Sequence, residues 1–237
     1  MTRGIHNGEL RRARQRGLTM IETLITLAIM TMMMVAVWTS FRTLQAGMEF
    51  SERTQQRYSI LRNCVSRMGA EISMSYLSWN RPADEEKHYT LFEGYDQSDE
   101  DRLTFSSFAH VRLRRDAKES DQSMIQYVLD ADPEDSSRKH VYRRESNRLM
   151  GDTPVQMAEY APAYIFCEDV TSLDFKYFDP RLNDWREEWR TTSQDQQPDR
   201  LPPRVRIELG FIDEFGEARK YVTQTVLFMQ EKIDMSK

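Results

Sequence analysis

Histidines, cysteines and clustered carboxylates carry most enzymatic chemistry, and this chain uses them sparingly. His6, His88, His110 and His140 are scattered, and none falls in an H-E-x-x-H or other paired-ligand spacing that would hold zinc. There is no G-x-S-x-G elbow, phosphate loop or dinucleotide fingerprint, and nine Gly leave little for such loops. Two acidic stretches, Asp96, Asp99, Glu100, Asp101 and Asp130, Asp132, Glu134, Asp135, have the right atoms for calcium. Pro133 interrupts the second, and neither carries the glycine and final Glu of a loop that wraps the ion, so solvated acidic loops are expected. The expectation is therefore no catalytic residue, no metal and no cofactor. The residue that does demand a chemical explanation is Glu22. It is the one ionisable group in the apolar run 18–38, LTMIETLITLAIMTMMMVAVW. A carboxylate in lipid costs about 2.5–3.5 kcal/mol, so it usually has a partner and a task.

The elements around Glu22 set that task. Residues 1–17 hold Arg3, Arg11, Arg12, Arg14 and Arg16 against Glu9, a side-chain charge of +4. At about 1.5 Å per residue, the apolar run after them is just long enough to span a bilayer core. Arginine-rich flanks stay on the cytoplasmic side, so the rest of the chain is expected to cross. A cleaved secretory signal would end in a small-residue A-x-A type site, and Thr39 to Gly47 offers none. The whole chain, with eleven Phe, ten Tyr and four Trp, has enough apolar bulk to fold. The formal net charge of the full chain, −5, excludes a global basic field for nucleic acid.

The stretch Arg16-Gly17-Leu18-Thr19-Met20-Ile21-Glu22 resembles the processing site of type IV pilins and type II secretion pseudopilins. The resemblance implies that a prepilin peptidase cuts between Gly17 and Leu18, and that Leu18 becomes the N-methylated first residue. It also places Glu22 fifth in the mature chain, followed by a retained membrane helix. Most of that family has Phe where this chain has Leu18. Removing the leader lowers the formal charge from −5 to −9. The new α-amino group of one subunit could then neutralise Glu22 of a neighbour, which would make Glu22 a device for assembly and register.

Beyond the membrane run, Tyr58, Leu61, Val65, Met68, Ile72 and Tyr76 recur at helical spacing and mark one packing face. Arg57, Arg62, Ser66 and Glu71 are assigned to the opposite face. With no proline before Pro82, one helix over about 18–78 is expected, flexed at Gly47 and Gly69. Expected strands are Tyr89–Tyr95, Arg102–Val111, Met124–Ala131, Lys139–Arg144, Thr171–Asp179, Arg204–Ile212 and Ala218–Met229, the last two joined by a turn at Asp213–Gly216. Residues 180–203 read as a long exposed loop anchored by Trp185 and Trp189. The fold class expected is α+β and type IV pilin-like, with a long N-terminal helix packed on antiparallel sheet. Its parts are a leader at 1–17, a membrane segment at 18–40 and a periplasmic domain at 41–237.

The C-terminal half narrows the resemblance. The run Ser172-Leu173-Asp174-Phe175-Lys176-Tyr177-Phe178-Asp179, then Trp185 and Trp189, then Leu201-Pro202-Pro203-Arg204-Val205-Arg206-Ile207 is similar to the minor pseudopilin J family of type II secretion. That likeness implies a structural component of a pseudopilus tip complex that primes filament assembly for protein export. The implied location is the bacterial inner membrane, single-pass, with a periplasmic body. Implied partners are the I- and K-type minor pseudopilins, the major pseudopilin and prepilin peptidase, and no nucleic acid. Two rivals stay open: a minor pilin of a type IV or competence pilus, and a monomeric single-span periplasmic binding protein. In a periplasmic body Cys64 and Cys167 are either two buried thiols, the simpler expectation, or a disulfide, which needs Cα atoms about 4.4–6.8 Å apart. The basic runs Arg112, Arg114, Arg115 and Arg138, Lys139, His140, Arg143, Arg144 read as strand-end surface charge.

Overall fold

The computed structural model describes residues 19–79, 89–112, 119–147 and 157–234. The chain forms two compact units, Met1–Arg53 and Thr54–Lys237. One helix, α1 (Met20–Ser73), contributes to both and runs unbroken through Gly47 and Gly69. In the first unit the described part of α1 exposes all its large apolar side chains, from Met20 to Phe50. This section is long and apolar enough to cross a membrane.

The second unit is α+β. Its strands are β1 (Phe92–Tyr95), β2 (Arg102–Ser107), β3 (Ser123–Ala131), β4 (Lys139–Ser146), β5 (Ala163–Cys167), β6 (Ser172–Asp179), β7 (Asp184–Arg186), β8 (Trp189–Arg190), β9 (Arg204–Ile212) and β10 (Ala218–Val226). A short helix, α2 (Met157–Tyr160), precedes β5. One sheet has the order β5-β4-β3-β2-β1-β8 and the other β10-β9-β6-β7, with every neighbouring pair antiparallel. Strict alternation sorts β9: Val205, Ile207 and Leu209 are buried, whereas Arg204 is exposed and Arg206 and Glu208 are half-buried. The β9–β10 hairpin turns through Asp213–Glu217, where Gly216 takes φ +79° and Asp213 Oδ1 accepts from the backbone N–H groups of Phe215 and Glu217.

The α1 stripe joins both sheets in one core. Leu61, Val65, Met68 and Ile72 pack in a cluster with Phe105, Ile125 and Tyr127 of the larger sheet and Phe175, Ile207 and Leu209 of the smaller. Burying side chains of this kind stabilises by about 1.5–3 kcal/mol each. Two members of the expected face differ. Tyr58 is 40% exposed and meets Phe211 edge-on at 5.5 Å. Tyr76 is fully buried, but it lies beyond the helix end. Ser73 and Ser75 turn their hydroxyls onto the carbonyls of Ala70 and Ile72, and the Tyr76 N–H goes to Ser106, so the chain leaves the helix there. Glu71, assigned to the outer face, is buried.

β5, β7 and β8 add to the strands expected from the sequence, and β2 stops at Ser107, where the Phe108 N–H bonds back to the Met74 carbonyl. β10 ends at Val226. Residues 180–203 are not a plain exposed loop, since they supply an edge strand to each sheet. Trp189 is fully buried and Trp185 only partly. A close approach explains Gly94 on β1: a Cβ there would lie 2.0 Å from the Tyr177 hydroxyl. Cys64 of α1 and Cys167 of β5 form a disulfide with Cα atoms 5.9 Å apart, in place of the two free thiols expected. It links residues 103 apart in sequence, a loop whose closure in the unfolded chain corresponds to about 4–5 kcal/mol.

Candidate functional site

Gly17 and Leu18 lie outside the described residues. Immediately after them, Thr19 caps α1: the Glu22 N–H reaches the Thr19 carbonyl at 3.1 Å and its Oγ1 at 3.4 Å. Glu22 thus sits in the first helical turn, where the helix dipole favours a negative charge. Its side chain is exposed. The hydroxyls around it are spent within the helix. Thr23, Thr26, Thr31, Thr39, Ser40 and Thr43 each donate to a carbonyl three or four residues back, at 2.8–3.0 Å. That pattern pairs the donors within the helix itself and leaves Glu22 as the one ionisable group of the apolar section.

In the second unit the polar centre is one that periodicity did not reveal. Glu71 Oε2 accepts from Arg143 Nε at 2.9 Å and from the Tyr127 hydroxyl, while Arg67 Nε meets Oε1 at 3.1 Å. Arg143 continues to Glu145 at 2.7 Å, and Glu145 to His110 Nδ1 at 2.8 Å. His110 Nε2 lies 3.1 Å from Glu119 and 3.3 Å from Asn147. The chain of contacts ties α1 to β3 and β4. Burial alone would lower the Arg143 pKa, but hydrogen bonds to Glu71 and Glu145 raise it. Burial likewise works against a charged His110, and the two glutamates outweigh it, so its pKa is raised above 6.5. A raised histidine pKa stabilises the fold below the unfolded value, and that contribution disappears as pH climbs through the folded value. NMR titration of His110 should give a midpoint above 6.5, with unfolding free energy falling as pH rises through that midpoint. A midpoint at or below 6.5 would contradict the pairing.

A second polar knot organises 180–203. Asp179 at the end of β6 is buried and accepts from Arg200 at 2.9 and 3.3 Å, from Arg186 at 2.9 Å and from the Arg181 N–H at 3.0 Å. Burial would raise its pKa, yet these donors hold it at about 2. Arg200 also covers the Trp189 ring at 4.9 Å, and the indole N–H donates to the Arg200 carbonyl at 2.7 Å.

The acidic stretches are turn formers. Asp96, Asp132 and Asp135 accept from backbone N–H groups two residues on, and Asp101 accepts from Gln97 and Phe175. Among the described residues no three His, Cys, Asp or Glu converge as a metal site. The basic runs are largely paired within the chain: Arg112 with Asp121, Arg138 with Asp169, Lys139 with Glu100 and His140 with Asp132.

The family described as type II secretion system (T2SS), protein J matches residues 39–223, and the prokaryotic N-terminal methylation motif matches residues 12–38. No curated protein sequence matches significantly. Several chains of solved structures do. One belongs to the crystal structure of the GspK-GspI-GspJ complex from the enterotoxigenic Escherichia coli type 2 secretion system. It is 12% identical with a TM-score of 0.46, over 73% of this chain and 99% of that one.

Proposed function

This chain belongs to the type II secretion system protein J family, and from that premise we propose how its N-terminus assembles it into a pseudopilus. It is a minor pseudopilin anchored by a single apolar helix. In the proposed reading, prepilin peptidase removes residues 1–17, Leu18 becomes the methylated N-terminus, and the body from residue 41 stands in the periplasm. There it joins I- and K-type minor pseudopilins in a tip complex that primes filament growth on the major pseudopilin. Its role is structural rather than catalytic.

The observation that carries this reading is Glu22. It is a lone carboxylate at the start of an apolar helix whose hydroxyls are already satisfied. A charge that is costly in lipid and has a free α-amine as its natural partner in a neighbouring subunit favours assembly over solitary insertion. Glu22→Ala should still insert in the membrane and still be cut after Gly17. Its crosslinking to I- and K-type partners in membranes should fall several-fold, together with secretion. Unchanged crosslinking and unchanged secretion would remove Glu22 from assembly and leave it as a residue reaching back to the headgroups.

A further inference from the structure

The segment that marks the family contains residues the core does not explain. β6 and β9 turn Phe175, Tyr177, Val205 and Ile207 inward, and leave Phe178, Arg204 and Arg206 on the opposite face of the smaller sheet. Trp185 of β7 stands opposite Phe178 in the register. The Arg204 guanidinium lies 4.1 Å from the Phe178 ring centroid, and that of Arg206 lies 4.2 Å from Trp185. Other cations of this sheet have carboxylate partners, Lys176 in Glu187 just past β7 at 3.4 Å and Lys220 in Glu208 of β9 at 3.5 Å. Among the described residues no carboxylate pairs with Arg204 or Arg206, and the buried Nε of Arg206 has no hydrogen-bond partner.

A guanidinium stacked on an aromatic ring is held flat and keeps its remaining N–H edges for a planar acceptor. Two such groups two residues apart on one strand repeat at about 7 Å, the repeat of alternate side chains in any extended chain. On a protein whose overall charge is negative, an uncompensated pair of this kind selects a negative partner. We propose that this face docks an extended acidic segment of another protein, with alternate carboxylates meeting Arg204 and Arg206. The site does not depend on the processing or the Glu22 pairing proposed above.

Fluorescence anisotropy of a labelled peptide of alternating Glu and Ser, with the full-length protein in non-ionic detergent at low salt, tests this. Binding should be saturable and should weaken at least about 10-fold in Arg204→Gln/Arg206→Gln, since charge and fork are both lost. Lys176→Gln/Lys220→Gln removes the same charge from paired positions and should change affinity by less than about 2-fold. Arg204→Lys/Arg206→Lys keeps charge and fold but loses the fork, and should cost at least about 3-fold. The proposal is overturned by absence of saturable binding, by equal losses in the two Gln variants, or by full affinity in the Lys variant. Equally tight binding of a peptide with the same Glu residues in one block would also overturn it.

Discussion

Glu71→Leu should destabilise the folded body by about 3–5 kcal/mol, the cost of leaving one half of a buried ion pair behind. The substitution strips Arg143 Nε and the Tyr127 hydroxyl of their shared acceptor, and both groups are buried in the core. Arg143 would keep only its contact with Glu145. Tyr127 would have to bury an unpaired hydroxyl, and the disulfide beside the same helix would still tether α1. Glu71→Gln retains the shape and one acceptor, so a smaller loss is expected. The informative partner is Glu71→Leu/Arg143→Leu. Replacing both members of a buried pair by apolar groups is often nearly neutral, so much of the stability should return. Urea unfolding of these variants and of Arg143→Leu alone, in the same detergent, measures this. Additive losses in the double variant would mean that Glu71 and Arg143 do not depend on each other.

Gly17→Val should abolish maturation. A peptidase needs extended, accessible backbone at the bond it cuts, and a β-branched side chain there blocks the approach that glycine permits. The precursor should accumulate at full length in the membrane with its leader charge of +4 attached. It would lack the free α-amine beside Glu22, so crosslinking to partner pseudopilins should be lost as completely as processing. Mass spectrometry of the purified protein decides the matter. A wild-type chain starting anywhere other than Leu18, or normal cleavage of the Val variant, would contradict the assignment of the junction.

The amino-acid order by itself carries the reading of the N-terminus, whose leader junction and Glu22 role stand as proposals. A leader rich in arginine, Gly17 at its end, Glu22 five residues on and an uncharged apolar run are properties of neighbouring residues. Their meaning depends on helix rise and on lipid, not on distant partners. The same holds for the alternation in β9, because period-two burial is a local signature of a sheet with one covered face. The stripe Leu61, Val65, Met68 and Ile72 was also legible, as its members lie one helical turn apart. Tertiary structure alone decided the rest. Two sheets contribute to the core that buries this helix, so the covered arc is wider than the stripe and takes in Glu71 and Cys64. Their partners Arg143 and Cys167 stand 72 and 103 residues away, a separation that no local periodicity records. β7 and β8 are too short to show a period of their own. They exist because Asp179, Arg200 and Trp189 satisfy one another's buried polar groups, which holds the chain between them against both sheets.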